Sequence, residues 1–564
     1  MIFSSYPEHR AACDQKQRQI AKQTAHFSGK YGASLTSSDN NVLELSLAEV
    51  VDKCSKGELS PAAVLDAYGK RCITAHNATN CLADFMFDEA LQTYSPHRPL
   101  SGVPVSLKDV VDVEGHDTTL GFSAKANKPV TSSAAITRLL RDAGALCHVK
   151  TKVPIGLLSF ETTSDLFGTT TNPYNPKFSP GGSTGGGAAL LAHKGSMIEI
   201  ATDIGGSIRY PPAFCGLYGM RSSSGRFPSL GCQTCAPGLE GVESAAPIAK
   251  NIDDLREFWE RVVGMKPWEY DHSCVPIPWR SVDFVQAGRK PRWGVIWEDG
   301  LVAPTPACRR ALQVAVDSLK QQGHDVVDFD PPNLIEGLEI GFPLSFADGG
   351  VSALRDISPG ETPGPAITAL LSSAKLPSLV KWALATALRW FSRPAGRNDV
   401  FARLLMSMGP QTVPQERALI SRREEYKAAW KQAMKKQEID LVLLPIFALP
   451  PIPMGGSGIA TLIAANYAFL FNILDYSAGV VPTTFVDREL DALPANFKQT
   501  DQYAHLNDAE RPIWSLYDAD AMHGLPLSVQ VVGGRFAEEK VLEGMKQLET
   551  ALKDSGRPFI QKDF

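Results

Sequence analysis

An α/β fold, a sheet carrying helices on its faces, is predicted from three observations. Between residues 100 and 260 short apolar strands alternate with Gly-rich turns and Ala-rich helices, the texture of layered strands and helices. A strand–helix–strand unit recurs at WGVIW (293–297), PACRRALQVAVDSLKQQG (306–323) and HDVVDFD (324–330). No period of 20–50 residues is present, which excludes a repeat architecture.

The elements follow in order. Residues 1–44 are polar and read as a helical arm. Ser60 then Pro61, a capping side chain followed by a fixed φ, opens a helix over PAAVLDAYGKRC (61–72). GVPVSL (102–107) reads as a strand, AAITRLLRDAGA (134–145) as a helix and LCHVKTKV (146–153) as the next strand. Residues 335–425 look mostly helical. DLVLLPI (440–446) reads as a buried strand, ANYAFLFNILDY (465–476) as a helix and LPLSVQVVGG (525–534) as a late strand. The organisation is one domain, 45–564, with a helical insertion at about 335–425. Within it LPSLVKWALATALRWFSR (376–393) reads as a helix packed over the core. Lys381, Arg389 and Arg393 would then face water, and Trp382, Trp390 and Phe391 could line a substrate entrance or touch a membrane surface.

Composition narrows the function. With 56 basic and 61 acidic residues in 564 the net charge is −5, so there is no electrostatic footprint for nucleic acid or anionic membrane. No run of about 18 apolar residues occurs, and the N-terminal stretch lacks the apolar core of a secretory signal. Ten scattered cysteines suit free thiols in a reducing cytoplasm. The sequon at Asn77 is then expected to be unused.

Two glycine-rich segments carry the chemistry: SPGGSTGGG (179–187) and TDIGGSIRYPPAFCG (202–216). Glycines let main-chain N–H groups approach a ligand closely, and a hydroxyl among them suits an oxyanion site. A phosphate-binding loop is excluded because no G-x4-G-K-[ST] pattern exists. GGSTG (181–185) formally matches the nucleophile elbow, but Pro176 and Pro180 break the strand that motif requires. A pair of tight turns without function leaves Ser183, Ser207 and the strand-borne Lys108 unexplained.

Taken together, the two serines and the lysine resemble the amidase signature family, closest in texture to its fungal acetamidase branch. The run GGSTGG precedes DIGGSIRYPPAFCG, with Ser183 and Ser207 24 positions apart. VPVSLKDVVDVEG (103–115), LFGTTTNPYNP (166–176), LDYSAGVVPTT (474–484) and LPLSVQVVGGRFAEEKVL (525–542) accompany them. The resemblance implies a central mixed, twisted sheet flanked by helices on both faces. It also implies hydrolysis of a carboxylic acid amide to acid and ammonia or amine through a Ser-Ser-Lys triad and an acyl-enzyme. Ser207 is then the nucleophile, Ser183 the bridging, substrate-side serine held by a cis Gly182–Ser183 bond, and Lys108 the base. The N–H groups of Ile204, Gly205, Gly206 and Ser207 form the expected oxyanion hole. Lys108 must be neutral, which burial favours. No metal or other cofactor is implied.

Other residues carry plainer readings. Asp203 and Arg209 read as structural supports, Thr184 as either a site hydroxyl or a helix cap, and Cys215 as core packing. Cys232 and Cys235 have a half-site spacing without a second pair, and His116 and His523 read as structural. Two departures from the motif fall at Gly187, where the family often has Glu, and at Lys250, where an Arg is usual; both are expected near the site. The partner implied is a small-molecule amide, with a homodimer admitted and neither nucleic acid nor membrane expected. A specialised secondary-metabolite amidase or esterase, an amidotransferase-type subunit and a catalytically silent binding protein are the competing readings.

Overall fold

Residues 6–365, 367–368, 372, 376–391, 399–460, 462–507 and 510–564 are described by the structure, a computed structural model. Its strands are β1 (Leu82–Phe85), β2 (Pro104–Lys108), β3 (Leu146–Thr151), β4 (Thr163–Ser164), β5 (Gly168–Thr169), β6 (Ile198–Asp203) and β7 (Tyr218–Arg221). They continue as β8 (Ser244–Ala249), β9 (Arg292–Val295), β10 (Asp325–Asp328), β11 (Leu441–Pro445), β12 (Ala478–Phe485) and β13 (Pro526–Val532). Eleven of them form one sheet in the order β1-β3-β2-β6-β8-β7-β12-β13-β11-β9-β10, and β4 pairs with β5 alone.

The sheet is mixed and flanked by helices, as predicted. β2 runs parallel to β3 and β6, and β9 parallel to β10 and β11; the other pairings are antiparallel. Each residue of β2 and β6 is buried, because strands at the centre of a covered sheet have no solvent face. β2, β3, β9, β10, β11 and β13 match strands read from the sequence. β6, β7, β8 and β12 border the glycine loops and were not distinguished there.

The helices obey local rules. Pro61–Thr79 starts where Ser60 Oγ accepts the N–H of Ala63 at 3.1 Å and stops at Asn80, whose φ is 58°. The first helix, Tyr6–Tyr31, turns Cys13, Lys16, Ile20, Phe27 and Tyr31 inward, a three-and-four spacing that makes one face. Phe27 stacks on Phe85 with centroids 5.6 Å apart, and Lys16 pairs with Asp117 at 2.9 Å.

The helix Ser378–Phe391 corrects one expectation. Lys381 does not face water: it is buried and donates to the carbonyl of Met408, just past the end of the helix Asp399–Ser407. A cation is favoured there by the unsatisfied carbonyls and the helix dipole. Trp382 and Trp390 are exposed, at 58% and 82%, as is Arg389. Arg393 lies outside the described residues, as does the Phe391 side chain. Among the described residues no helix is long and apolar enough to cross a membrane.

Candidate active site

The last residue of β2, the first glycine run and the loop after β6 meet at one place. Lys108 Nζ lies 2.8 Å from Ser183 Oγ, and Ser183 Oγ lies 2.8 Å from Ser207 Oγ. Lys108 also donates to the carbonyl of Thr202 at 3.0 Å. The peptide bond Gly182–Ser183 is cis. All three side chains are buried, Ser207 the least at 6% exposure. Burial lowers the lysine pKa to about 8, against the opposing pull of Glu243, Asp203 and Glu199.

The loop between β6 and the helix Tyr210–Cys215 is held from beneath by Asp203. Its Oδ1 accepts from Gly206 N (2.7 Å), Arg209 Nη2 (3.0 Å) and Asn472 Nδ2 (2.9 Å). Its Oδ2 accepts from Ile208 N (3.0 Å) and Arg209 Nε (2.9 Å). Burial alone would raise the pKa of this carboxyl, but the charge and hydrogen bonds of Arg209 hold it well below the usual carboxylate range. Gly206 has φ of +124°, and a Cβ there would stand 2.0 Å from the Tyr210 ring, so only glycine fits. Its N–H is committed to Asp203, which removes it from the four donors expected to face an oxyanion; those of Ile204, Gly205 and Ser207 remain.

A cavity of about 250 Å³ opens at Ile204 and Gly205. Leu158, Leu239, Phe342, Phe346 and Phe469 supply much of its wall. Phe342 and Phe469 stack with centroids 5.5 Å apart. Trp382 and Trp390 are not among its lining residues.

The remaining sequence candidates fall into place away from the reacting atoms. Asp203 and Arg209 are the supports expected of them. Thr184 stands at the N-cap position of the helix Gly185–Ala192 but makes no side-chain cap bond, and its buried hydroxyl has no hydrogen-bond partner among the described residues. Cys235 lines the cavity, with its thiol pushed up to about 12 by burial, and Cys215 is packed in the core. His116 is clamped between Asp84 (3.0 Å) and Glu89 (2.8 Å). His523 accepts the N–H of Arg488 at 3.2 Å on the surface. Lys250 is not near the site as expected. β8 brings Ser244 opposite Asp203 and Ala249 opposite Ile198, so Lys250 sits a strand length away, about 20 Å. Asn472, Gln530, Glu243 and Glu199 were missed, the first two because they reach the loop from 269 and 321 residues away in the chain.

Comparison with known proteins identifies the family. The amidase family profile matches residues 63–542. An acetamidase of Emericella nidulans is 33% identical over 533 residues, 91% of this chain and 90% of its own. Fatty-acid amide hydrolase 1 of Sus scrofa is 34% identical over 525 residues, 92% of this chain and 87% of its own. A solved fatty acid amide hydrolase superposes with a TM-score of 0.81 at 26% identity, covering 98% of this chain and 95% of that one. The chain belongs to the amidase signature family and is an amide-hydrolysing enzyme.

Proposed function

We propose that the chain cleaves amides through an acyl-enzyme on Ser207, with Ser183 as proton relay and Lys108 as base. The observation that carries this reading is the unbroken Ser207–Ser183–Lys108 contact chain, 2.8 Å at each step. With Lys108 neutral, Ser207 O–H donates to Ser183, whose own O–H donates to Nζ. As Ser207 Oγ bonds to the amide carbon, its proton passes to Ser183 and the Ser183 proton passes to Lys108. The carbonyl oxygen becomes an oxyanion, for which the N–H groups of Ile204, Gly205 and Ser207 are the donors. Losing one such donor costs about 3 kcal/mol of transition-state stabilisation. The C–N bond then breaks, the leaving nitrogen takes the proton of Ser183, and Lys108 returns one to Ser183. Water repeats the sequence on the ester to release the acid.

The acyl group we assign is apolar and larger than acetyl. The cavity next to Gly205 has room for about eight groups of water size, walled largely by leucines and stacked phenylalanines, with Asp348 and Glu416 also on its lining. We further place the protein in the cytoplasm, since its ten cysteines are all free.

The purified chain is to be tested alone on primary amides of increasing acyl length and on the matching esters. Turnover rising from acetamide to aryl or medium-chain acyl amides, abolished in Ser207→Ala and Lys108→Ala, is expected. Ester-only turnover would favour the esterase reading. Turnover only with added partner chains would favour an amidotransferase-type subunit.

A further inference from the structure

Gly187, one of the two departures from the motif, faces a buried carboxyl. It is the third residue of the helix Gly185–Ala192, and a Cβ there would lie 2.4 Å from both Cδ and Oε1 of Glu199. The glycine is therefore the space into which Glu199 fits. Glu199 starts from β6, opposite Ser106 of β2. It reaches across β2, where its Oε1 accepts from Thr151 Oγ1 of β3 at 2.5 Å. Thr151 is itself the register partner of Lys108. Residues two apart on a strand share a face, so Ser106 and Lys108 lie on the face that the Glu199 side chain crosses. Glu199 is fully buried, and its Oε2 has no hydrogen-bond partner.

We propose that Glu199 is a positioning residue for Lys108: laid across β2 beneath the Gly187 opening, its carboxyl favours the protonated lysine formed when Ser207 attacks. This rests on the reading of Lys108 as base. A carboxylate in a buried site stabilises a nearby ammonium strongly, because little water screens the pair. The lysine also feels Glu243, Asp203 and Cys235, and Glu199 also feels Cys81. Glu199 differs from Asp203 in having no cationic partner of its own, so its charge is free to respond to the lysine. Burial raises its own pKa to about 7, close enough to that of Lys108 for the two to titrate as a coupled pair.

The test is the pH profile of kcat/KM for Glu199→Gln beside the wild type, with unfolding measured in parallel. Glutamine keeps the shape and an acceptor for Thr151 but removes the charge. The acid limb is expected to move to lower pH by about one unit, with a lower plateau from a weaker base. A merely structural role would change stability and leave the limb where it is. Moving the carboxyl supplies a second arm. Gly187→Glu alone is expected to be disrupted by the clash, while Gly187→Glu with Glu199→Gly should restore the limb toward the wild-type position. An unmoved limb in folded Glu199→Gln would overturn the proposal. Should Lys108→Ala retain normal turnover, the underlying reading fails instead, so the two failures are distinguishable.

Discussion

Replacing Arg209 with leucine is expected to cost about 3–5 kcal/mol of stability, because it strips the counter-charge from a buried carboxylate. The guanidinium is fully buried. It donates to Asp203 Oδ2 (2.9 Å) and Oδ1 (3.0 Å), Ala468 O (2.8 Å), Gln530 Oε1 (2.8 Å) and Asn472 Oδ1 (2.5 Å). Leucine removes all five contacts and leaves Asp203 with only Gly206 N, Ile208 N and Asn472 Nδ2. Against a typical margin of about 5–15 kcal/mol this is a large fraction. The same change loosens the loop that carries Ser207. The expected fall in kcat/KM is about 100-fold, the lower end for loss of one oxyanion donor. The double variant Asp203→Asn/Arg209→Leu removes both charges and is expected to be more stable than the sum of the single losses. Its activity is expected to stay low, since Gly206 and Ile208 no longer donate to a carboxylate. Urea unfolding followed by tryptophan fluorescence, with steady-state kinetics on one amide, measures both quantities. A loss below about 1 kcal/mol for Arg209→Leu, the scale of a surface pair, with unchanged kinetics would refute this account of the loop.

Three further outcomes are expected. Because Lys108 acts when neutral and its pKa is held at about 8, kcat/KM should rise with pH up to about 8 and then level off; a flat profile between about pH 6 and 9 would argue against it. Phe469→Leu should widen the wall beside Gly205 and shift the kcat/KM ratio of a bulky to a small acyl amide by about 10-fold, and an unchanged ratio would remove Phe469 from the acyl site. Burial would lower the pKa of His116, but Asp84 and Glu89 raise it to about 9, above the ordinary value near 6.5. Its pairing thus stabilises fully below about pH 6.5 and is lost as pH rises through 9. The stability gap between wild type and His116→Ala should be wide at pH 6 and closed near pH 10, where a constant gap would mean packing alone.

The parts of the fold readable in the sequence were those set by neighbours in the chain. Ser60 and Pro61 mark a helix start because capping and fixed φ act over three residues. The three reacting side chains were readable because the glycine runs around Ser183 and Ser207 form a long, specific pattern. Lys108 is different, since its lowered pKa exists only once β2 is covered on both faces. Glu199 shows why the rest was hidden. In IEIATD (198–203) the alternation suggests a polar, solvent-facing position, yet β6 is central and its glutamate points into the helix-covered side of the sheet. The charges of 376–393 misled in the same way. Lys381 is drawn inward by the carbonyl end of another helix, which no periodicity within its own segment reveals. Contacts from Asn472, on the helix before β12, and from Gln530, on β13, depend on β12 lying between β7 and β13, a sheet order that strand patterns do not encode.

The central claim, that Ser207 is the nucleophile driven through Ser183 by Lys108, is tested most directly by fluorophosphonate labelling with mass-spectrometric mapping of the adduct. The expected result is a single adduct on Ser207, absent in Ser207→Ala and formed much more slowly in Ser183→Ala and Lys108→Ala. An adduct on Ser183 alone, or undiminished labelling of Ser207→Ala, would contradict it.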